Sequence, residues 1–141
     1  MWLFSVLFDD SMECENVSIK SSNKLGDYAF YNCNKLTQLI VETNEIGAYS
    51  FAKCINLTNV LLNNVTVIND YAFYNCNKLS NINLENVEII KDYVFTNTVL
   101  ENILFNKIIS IGSYAFSSTD TSVTSIPKFL AISKVFLKFS K

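Results

Sequence analysis

The chain has 141 residues, half of them apolar, which is enough for one domain with a continuous core and argues against disorder. Its formal net charge of −2 argues against a nucleic-acid partner, because phosphates attract a strongly basic face. Histidine, the commonest general base and nitrogen ligand of zinc, is absent, so we expect a protein that is not an enzyme and has no cofactor or metal.

The chain begins with an apolar stretch, MWLFSVLF, that has two interpretations. As the apolar core of a signal peptide it is very short, lacks a basic leader and runs into two aspartates. As a degenerate first repeat, approximately residues 3–24, it is in phase with the next repeat: Leu3 and Phe8 lie 22 residues before Leu25 and Phe30. We favour the repeat. No apolar segment is long enough to span a membrane.

A short phrase recurs at intervals of 21 or 22 residues through the rest of the chain. It reads LGDYAF, IGAYSF, INDYAF, IKDYVF and IGSYAF, ending at Phe30, Phe51, Phe73, Phe95 and Phe116. Such a period is typical of a solenoid, in which each unit buries its apolar face against the next. We predict one domain over residues 1–141. Its later repeats cover approximately 25–45, 46–67, 68–89, 90–110 and a degenerate 111–127, with a terminal cap or truncated repeat at 128–141.

After each phenylalanine the sequence has the pattern LxxLxL, the phrase of a leucine-rich-repeat strand. In the first clear copy the apolar positions are Leu36, Leu39 and Val41. The last two alternate with outward positions, so we expect one face of the strand to lie against the core. Strands of successive repeats then pair in parallel into one sheet on the concave side.

The DYAF phrase is predicted to form a short helical turn on the opposite, convex side. The slot before its tyrosine holds Asp27, Ala48, Asp70, Asp92 and Ser113. Asp and Ser are good N-caps, so the turn at Ala48 is expected to be the weakest. A second pair of apolar residues, Val65 and Val67, indicates a short outer strand. Together these elements predict an α/β fold, a curved leucine-rich-repeat solenoid with a parallel β-sheet on its concave face and helical turns on its convex face.

Three cysteines share one slot of the repeat, and threonines fill it later: Cys33, Cys54, Cys76, Thr98 and Thr119. Their spacing is that of the repeat itself, with no CxxC pair to indicate zinc or redox chemistry. We therefore expect a small, buried side chain at this slot and inert thiols. Cys14 lies in a leucine slot.

The phrase LGDYAFYNCNKLTQLIV resembles the BspA-type leucine-rich repeat, which occurs in surface proteins of bacteria and protozoan parasites. The resemblance covers roughly residues 3–126. It implies a non-catalytic surface antigen or adhesion protein that binds a protein or glycoprotein at the cell surface. The chain departs from the family after the strands, where the usual proline is replaced by Thr43, Asn64 and Asn86.

Two alternatives stay open beside that interpretation. An intracellular scaffold in the cytoplasm is favoured by the unpaired cysteine pattern and the lack of a recognisable leader. A fragment of a longer array is compatible with the degenerate ends of the repeat pattern.

The outward positions of the predicted strands are the candidate binding site for a protein or glycoprotein. They form three columns: Gln38, Asn59, Asn81, Asn102; then Ile40, Leu61, Asn83, Leu104; then Glu42, Asn63, Glu85, Asn106. An apolar line flanked by amides and carboxylates fits an extended peptide or a protein edge. The alternative is a solvated face with incidental aliphatic residues.

A column of tyrosines is the second candidate surface, at Tyr28, Tyr49, Tyr71, Tyr93 and Tyr114. Tyrosine is favoured at interfaces, so the column is compatible with a sugar or protein partner. The alternative is structural: each ring packs on its neighbour and keeps its hydroxyl in water.

Overall fold

The computed structural model describes residues 15–119 and the strand at 123–125. Within these residues the chain winds into stacked coils whose strands pair in parallel, which confirms the predicted solenoid. The strands, in chain order, are β1 Asn16–Lys20, β2 Lys24–Leu25, β3 Gln38–Glu42, β4 Glu45–Ile46, β5 Asn59–Asn63, β6 Val67–Ile68, β7 Asn81–Ile82, β8 Ile89–Ile90, β9 Ile103–Leu104, β10 Ser110–Ile111 and β11 Val123–Ser125. The predictions for MWLFSVLF, for Cys14 and for the cap at 128–141 lie outside the described residues.

The longer sheet joins β1, β3, β5 and β7 in parallel. Its register matches the repeat, with Gln38 opposite Asn59 and Asn59 opposite Asn81. Leu39 and Val41 are buried while the residues between and before them are exposed. The alternation expected from LxxLxL is therefore confirmed, and it places one face of this sheet against the core.

The sheet stops after two residues of β7, where the side chain of Asn83 replaces a backbone partner. The Leu62 N–H donates to Asn83 Oδ1 at 2.7 Å, and Asn83 Nδ2 donates to the Leu62 carbonyl oxygen at 2.9 Å. The next strand on this face, β9, is paired with β11. The single sheet expected from the sequence is thus divided, in the described part of the chain, into a four-stranded and a two-stranded piece.

The two-residue strands β2, β4, β6, β8 and β10 form a second parallel sheet. The second residue of each strand is buried, as Ile46 and Ile68 illustrate. Val67 begins β6, so the outer strand predicted from the second pair of apolar residues is confirmed. The core lies between this sheet and the longer one, where each coil contributes apolar side chains to the next.

The predicted helical turns are not confirmed, because no helix occurs in residues 15–119 or 123–125. The DYAF phrases form turns, and each contains a tyrosine with φ between 56° and 59°: Tyr28, Tyr49, Tyr71, Tyr93 and Tyr114. This left-handed conformation costs an L-residue about 1–2 kcal/mol and does not continue a right-handed helix. The described fold is a β-solenoid with turns, in place of the α/β fold expected from the sequence.

Hydrogen bonds between coils explain why turns replace the helix. The Tyr49 N–H donates to the Asp70 carbonyl oxygen at 3.0 Å, and the Phe51 N–H donates to that of Ala72 at 2.9 Å. The Ala52 N–H points back into its own turn and donates to the Tyr49 carbonyl oxygen at 3.2 Å. Alternate amides thus bind the next coil, whereas an α-helix would direct every amide along its own axis.

The aspartates of the phrase also bind the next coil, so the prediction that they cap their own turns is wrong. Asp27 Oδ1 accepts the Ala48 N–H at 2.9 Å, and Asp92 Oδ1 accepts the Ser113 N–H at 2.7 Å. The side chain of Ala48 has no acceptor to offer the Asp70 N–H in the coil above it. Alanine at position 48 therefore removes a bond between coils and not a helix cap.

Phenylalanine and a small polar side chain fill the middle of each coil. The rings of Phe30 and Phe51 stack at 5.4 Å, and three further stacks continue the buried column. Cys54 Sγ donates to the Phe30 carbonyl oxygen at 3.2 Å, as Thr119 Oγ1 does to that of Phe95 at 2.7 Å. The slot therefore selects a hydrogen-bond donor as well as a small side chain, which explains why threonine replaces cysteine there.

The two buried thiols in this slot, Cys54 and Cys76, favour the protonated state. Burial raises the pKa of the Cys76 thiol, and hydrogen bonding to Cys33 together with burial raises that of Cys54. No disulfide joins the three cysteines in the described part of the chain. Because the thiolate is the reactive form, buried thiols of this kind are poor nucleophiles.

Candidate binding groove

The face that β3, β5 and β9 turn away from the core carries a row of exposed aliphatic side chains. Ile40, Leu61 and Leu104 leave 43%, 46% and 37% of their surface exposed. Gln38 and Asn59 are exposed beside them, because residues two apart on a strand share a face. Exposed apolar side chains in a row are uncommon on a monomer and typical of binding surfaces.

Nine of the twelve candidate residues line one groove of about 660 Å³ on this face: Gln38, Ile40, Asn59, Leu61, Asn81, Asn83, Glu85, Asn102 and Leu104. We call it the sheet groove. The other three, Glu42, Asn63 and Asn106, are not part of its lining. Glu42 is instead paired with Lys20 of β1, whose Nζ lies 3.1 Å from its carboxylate. The structure thus brings the first two columns together and leaves most of the third outside.

Two exposed lining residues of β1 are missing from the sequence-based candidates. Asn16 and Ser18 lie opposite Gln38 and Ile40 in the sheet and extend the first two columns by one coil. The sequence contains the signal for both, because each lies 22 residues before its partner in the first clear repeat. The predicted columns begin at that repeat and omit the degenerate one before it.

Asn83 occupies a different place from the one expected. Its position in the second column predicts an outward side chain, but it is only partly exposed and its amide is bound to the backbone of Leu62. The aliphatic row is therefore interrupted between Leu61 and Leu104. Asn83 forms part of the groove wall at the point where the sheet divides.

The sheet groove is nearly uncharged. Glu85 is the one charged residue in its lining, which otherwise consists of amide, hydroxyl and aliphatic side chains. Each amide has a carbonyl oxygen that accepts and an NH₂ group that donates hydrogen bonds. Such a surface favours an uncharged partner that offers donors, acceptors and apolar groups close together.

The tyrosine column packs as a continuous stack in the turns. The ring centroid of Tyr49 lies 4.8 Å from that of Tyr28 and 4.7 Å from that of Tyr71, with interplanar angles of 3° and 5°. Burial, followed by the neighbouring Tyr28 and Asp70, raises the pKa of the Tyr49 phenol. The stacking fits the structural interpretation of the column, and none of its rings lines the sheet groove.

The described part of the chain offers little for other kinds of site. A second depression of about 930 Å³ is lined by residues of polar types, among them Lys35, Thr37, Asn56 and Lys78. In residues 15–119, no three side chains of the types that ligate metals come together as a metal site. No helix in the described ranges has the length and apolar character needed to cross a membrane.

Comparisons with known proteins agree with the geometry. The family model described as the BspA type leucine rich repeat region matches residues 4–131, in six copies. No curated protein sequence matches the chain. Among solved structures, a leucine-rich repeat protein of T. pallidum superposes with a TM-score of 0.66 at 24% identity, over 75% of this chain and 55% of that one. At this identity the likeness shows the fold alone, and the chain spans about half the length of that neighbour.

Proposed function

Because the chain belongs to the BspA-type leucine-rich repeat family, we propose that it is a non-catalytic binding module whose sheet groove holds a protein or glycoprotein. Leucine-rich-repeat solenoids are typically protein-interaction modules, since their stacked coils create extended surfaces. The observation that carries the proposal is the exposed aliphatic row of Ile40, Leu61 and Leu104 inside a groove edged by amides.

The row supports binding because its aliphatic side chains stay partly in water when the chain folds, so the free energy of burying them is not gained. Each large aliphatic side chain left in water forgoes roughly 1–2 kcal/mol of burial, a gain that a partner would recover. The amides beside the row allow a partner to keep its polar groups hydrogen bonded when it enters the groove. Apolar contact then supplies affinity, and the amides supply orientation.

The test is a pair of charge substitutions with a matched control. Peptides that bind the wild-type chain would first be selected from a displayed library of linear sequences. Leu61→Asp with Leu104→Asp should weaken their binding by at least about tenfold, measured by calorimetry. Ile109→Asp is the control, because Ile109 is 59% exposed and does not line the groove. Unchanged binding by the double variant would show that the sheet groove is not the binding site.

The family resemblance supports a role as a surface antigen or adhesion protein. The alternative is an intracellular scaffold, which is supported by Cys54 and Cys76, whose thiol protons are engaged in hydrogen bonds that an oxidised sulfur could not donate. Labelling intact source cells with a membrane-impermeant reagent separates the two. Labelled protein is the result expected of a surface antigen, and protection until lysis is the result expected of a scaffold.

We further propose that residues 1–141 form one domain and not a dependent piece of a longer array. The bonds between successive coils couple each coil to the next along the described residues. The isolated chain should therefore unfold in one cooperative transition in urea. A gradual loss of signal without a transition would favour the fragment.

A further inference from the structure

One arrangement of side chains recurs in the sheet groove, an exposed amide with an exposed aliphatic residue two positions further along the strand. We call it the amide–aliphatic dyad. Two adjacent coils carry it, on β3 as Gln38 with Ile40 and on β5 as Asn59 with Leu61. The next coil lacks it, because Asn83 stands in place of the aliphatic residue and its amide is bound to the backbone of Leu62.

Each dyad matches one chemical group in particular. The amide donates and accepts hydrogen bonds, and the aliphatic side chain beside it offers an apolar contact. An acetamido group has the complementary parts: an N–H, a carbonyl oxygen and a methyl group. A primary hydroxyl or a simple sugar ring offers no methyl group to the aliphatic residue, so it would use half of each dyad.

The spacing of the dyads and the charge of the groove further limit the chemical class of the partner. Adjacent dyads on β3 and β5 are about 4.8 Å apart, whereas an extended peptide presents side chains on one face about every 6.6 Å. A peptide that runs along the stack of coils therefore falls out of step with the dyads. Since the groove has Glu85 and no cationic residue in its lining, sulfated or sialylated chains gain nothing from it.

We infer that the sheet groove binds a neutral oligosaccharide of N-acetylated sugars, the carbohydrate part of a glycoprotein. This inference rests on the proposed function and names the partner of the same site. An acetamido group forms two hydrogen bonds with the amide of one dyad, Gln38 or Asn59, and the aliphatic residue of the same dyad, Ile40 or Leu61, receives its methyl group. Ligands of this size fit the groove, because sites for small molecules commonly measure about 300–1,000 Å³.

Chitotetraose, four linked N-acetylglucosamine units, is the probe, and cellotetraose is its match without acetamido groups. Calorimetry should show binding of chitotetraose and at least tenfold weaker binding of cellotetraose. Asn59→Leu, which keeps the branched shape of the side chain and removes the amide, should weaken chitotetraose binding about tenfold. Asn63→Leu is the matched control on the same strand, because Asn63 is exposed but outside the groove lining, and it should leave binding unchanged.

The outcomes separate this inference from the proposed function. Equal binding of the two sugars, or equal effects of the two asparagine substitutions, would overturn recognition of the acetamido group. If no sugar binds while selected peptides bind and are lost with Leu61→Asp and Leu104→Asp, the oligosaccharide is wrong and the groove stands. If binding of peptides and sugars is indifferent to that double substitution, both proposals are wrong.

Discussion

Replacing Asn83 by alanine should destabilise the solenoid, although the residue belongs to the partly exposed wall of the groove. Its amide is the partner of both the N–H and the carbonyl oxygen of Leu62, at 2.7 and 2.9 Å. Leu62 is only 3% exposed, so water cannot readily replace the lost partners. A buried backbone group without a partner costs about 1–3 kcal/mol. Since part of this cost is regained if β7 lengthens, we expect a loss of about 2 kcal/mol.

Urea unfolding followed by circular dichroism measures this loss, with unchanged slope as the check that the folded and unfolded states are comparable. Asn81→Ala is the control, because Asn81 is exposed on β7, and it should change the free energy of unfolding by less than about 0.5 kcal/mol. Asn83→Asp retains an acceptor for the Leu62 N–H but faces the Leu62 carbonyl with a carboxylate, so it should be no more stable than Asn83→Ala at neutral pH. Equal midpoints for Asn83→Ala and Asn81→Ala would refute the role of the amide.

Three further predictions concern the turns and the core. Tyr71→Ala removes ring stacks at 4.7 and 4.8 Å and should cost about 2 kcal/mol in urea unfolding. Tyr71→Gly relieves the left-handed backbone and should be about 1 kcal/mol more stable than Tyr71→Ala; the reverse order would contradict the strain. Ala48→Asn offers the Asp70 N–H an acceptor and should raise the free energy of unfolding by about 0.5–1 kcal/mol, whereas an unchanged urea midpoint would deny that bond. Burial holds the pKa of the Cys76 thiol above its ordinary value of 9.0. The contribution of the protonated thiol to the free energy of unfolding is therefore complete below pH 9.0 and falls as the pH rises above that value. Cys76→Thr should flatten that fall in urea midpoints measured against pH, and parallel curves would contradict it.

The strands could be predicted because their pattern has a direct physical cause. Leu39 and Val41 are spaced by two residues, and that period alone places both on one face of a strand. The repeat steps of 21 and 22 residues then align Gln38 with Asn59 and Asn59 with Asn81, since equivalent positions of successive coils stack in register. Both steps need only the sequence and the geometry of an extended chain.

The turns could not be predicted in the same way. Tyrosine is not a residue that favours positive φ, so Tyr28 and Tyr49 gave no local sign of the left-handed backbone. The bonds of Asp27 and Asp92 to the next coil depend on how coils stack, which a single repeat does not contain. The available signal was asparagine at three of the five second left-handed positions, Asn32, Asn75 and Asn97, because asparagine tolerates this conformation.

The candidate site was partly predictable for a similar reason. Column membership depends on the period alone, so Ile40 and Leu61 could be placed on the groove face in advance. The inward orientation of the Asn83 side chain could not be predicted, because an amide can form hydrogen bonds either with water or with backbone groups such as those of Leu62. Its conspicuous polarity within an aliphatic column was the only sequence feature that marked the division of the sheet.

A cross-linking measurement on the sheet groove tests the proposed binding role itself. A photoreactive amino acid would replace Leu61 in one variant and Ile109 in another, both being exposed aliphatic positions. Each variant would be irradiated with a selected peptide or with a glycopeptide that carries N-acetylated sugars, and the adducts measured by mass spectrometry. We expect adducts at position 61 and none at position 109. Equal adducts at the two positions, or adducts at 109 alone, would contradict binding in the groove.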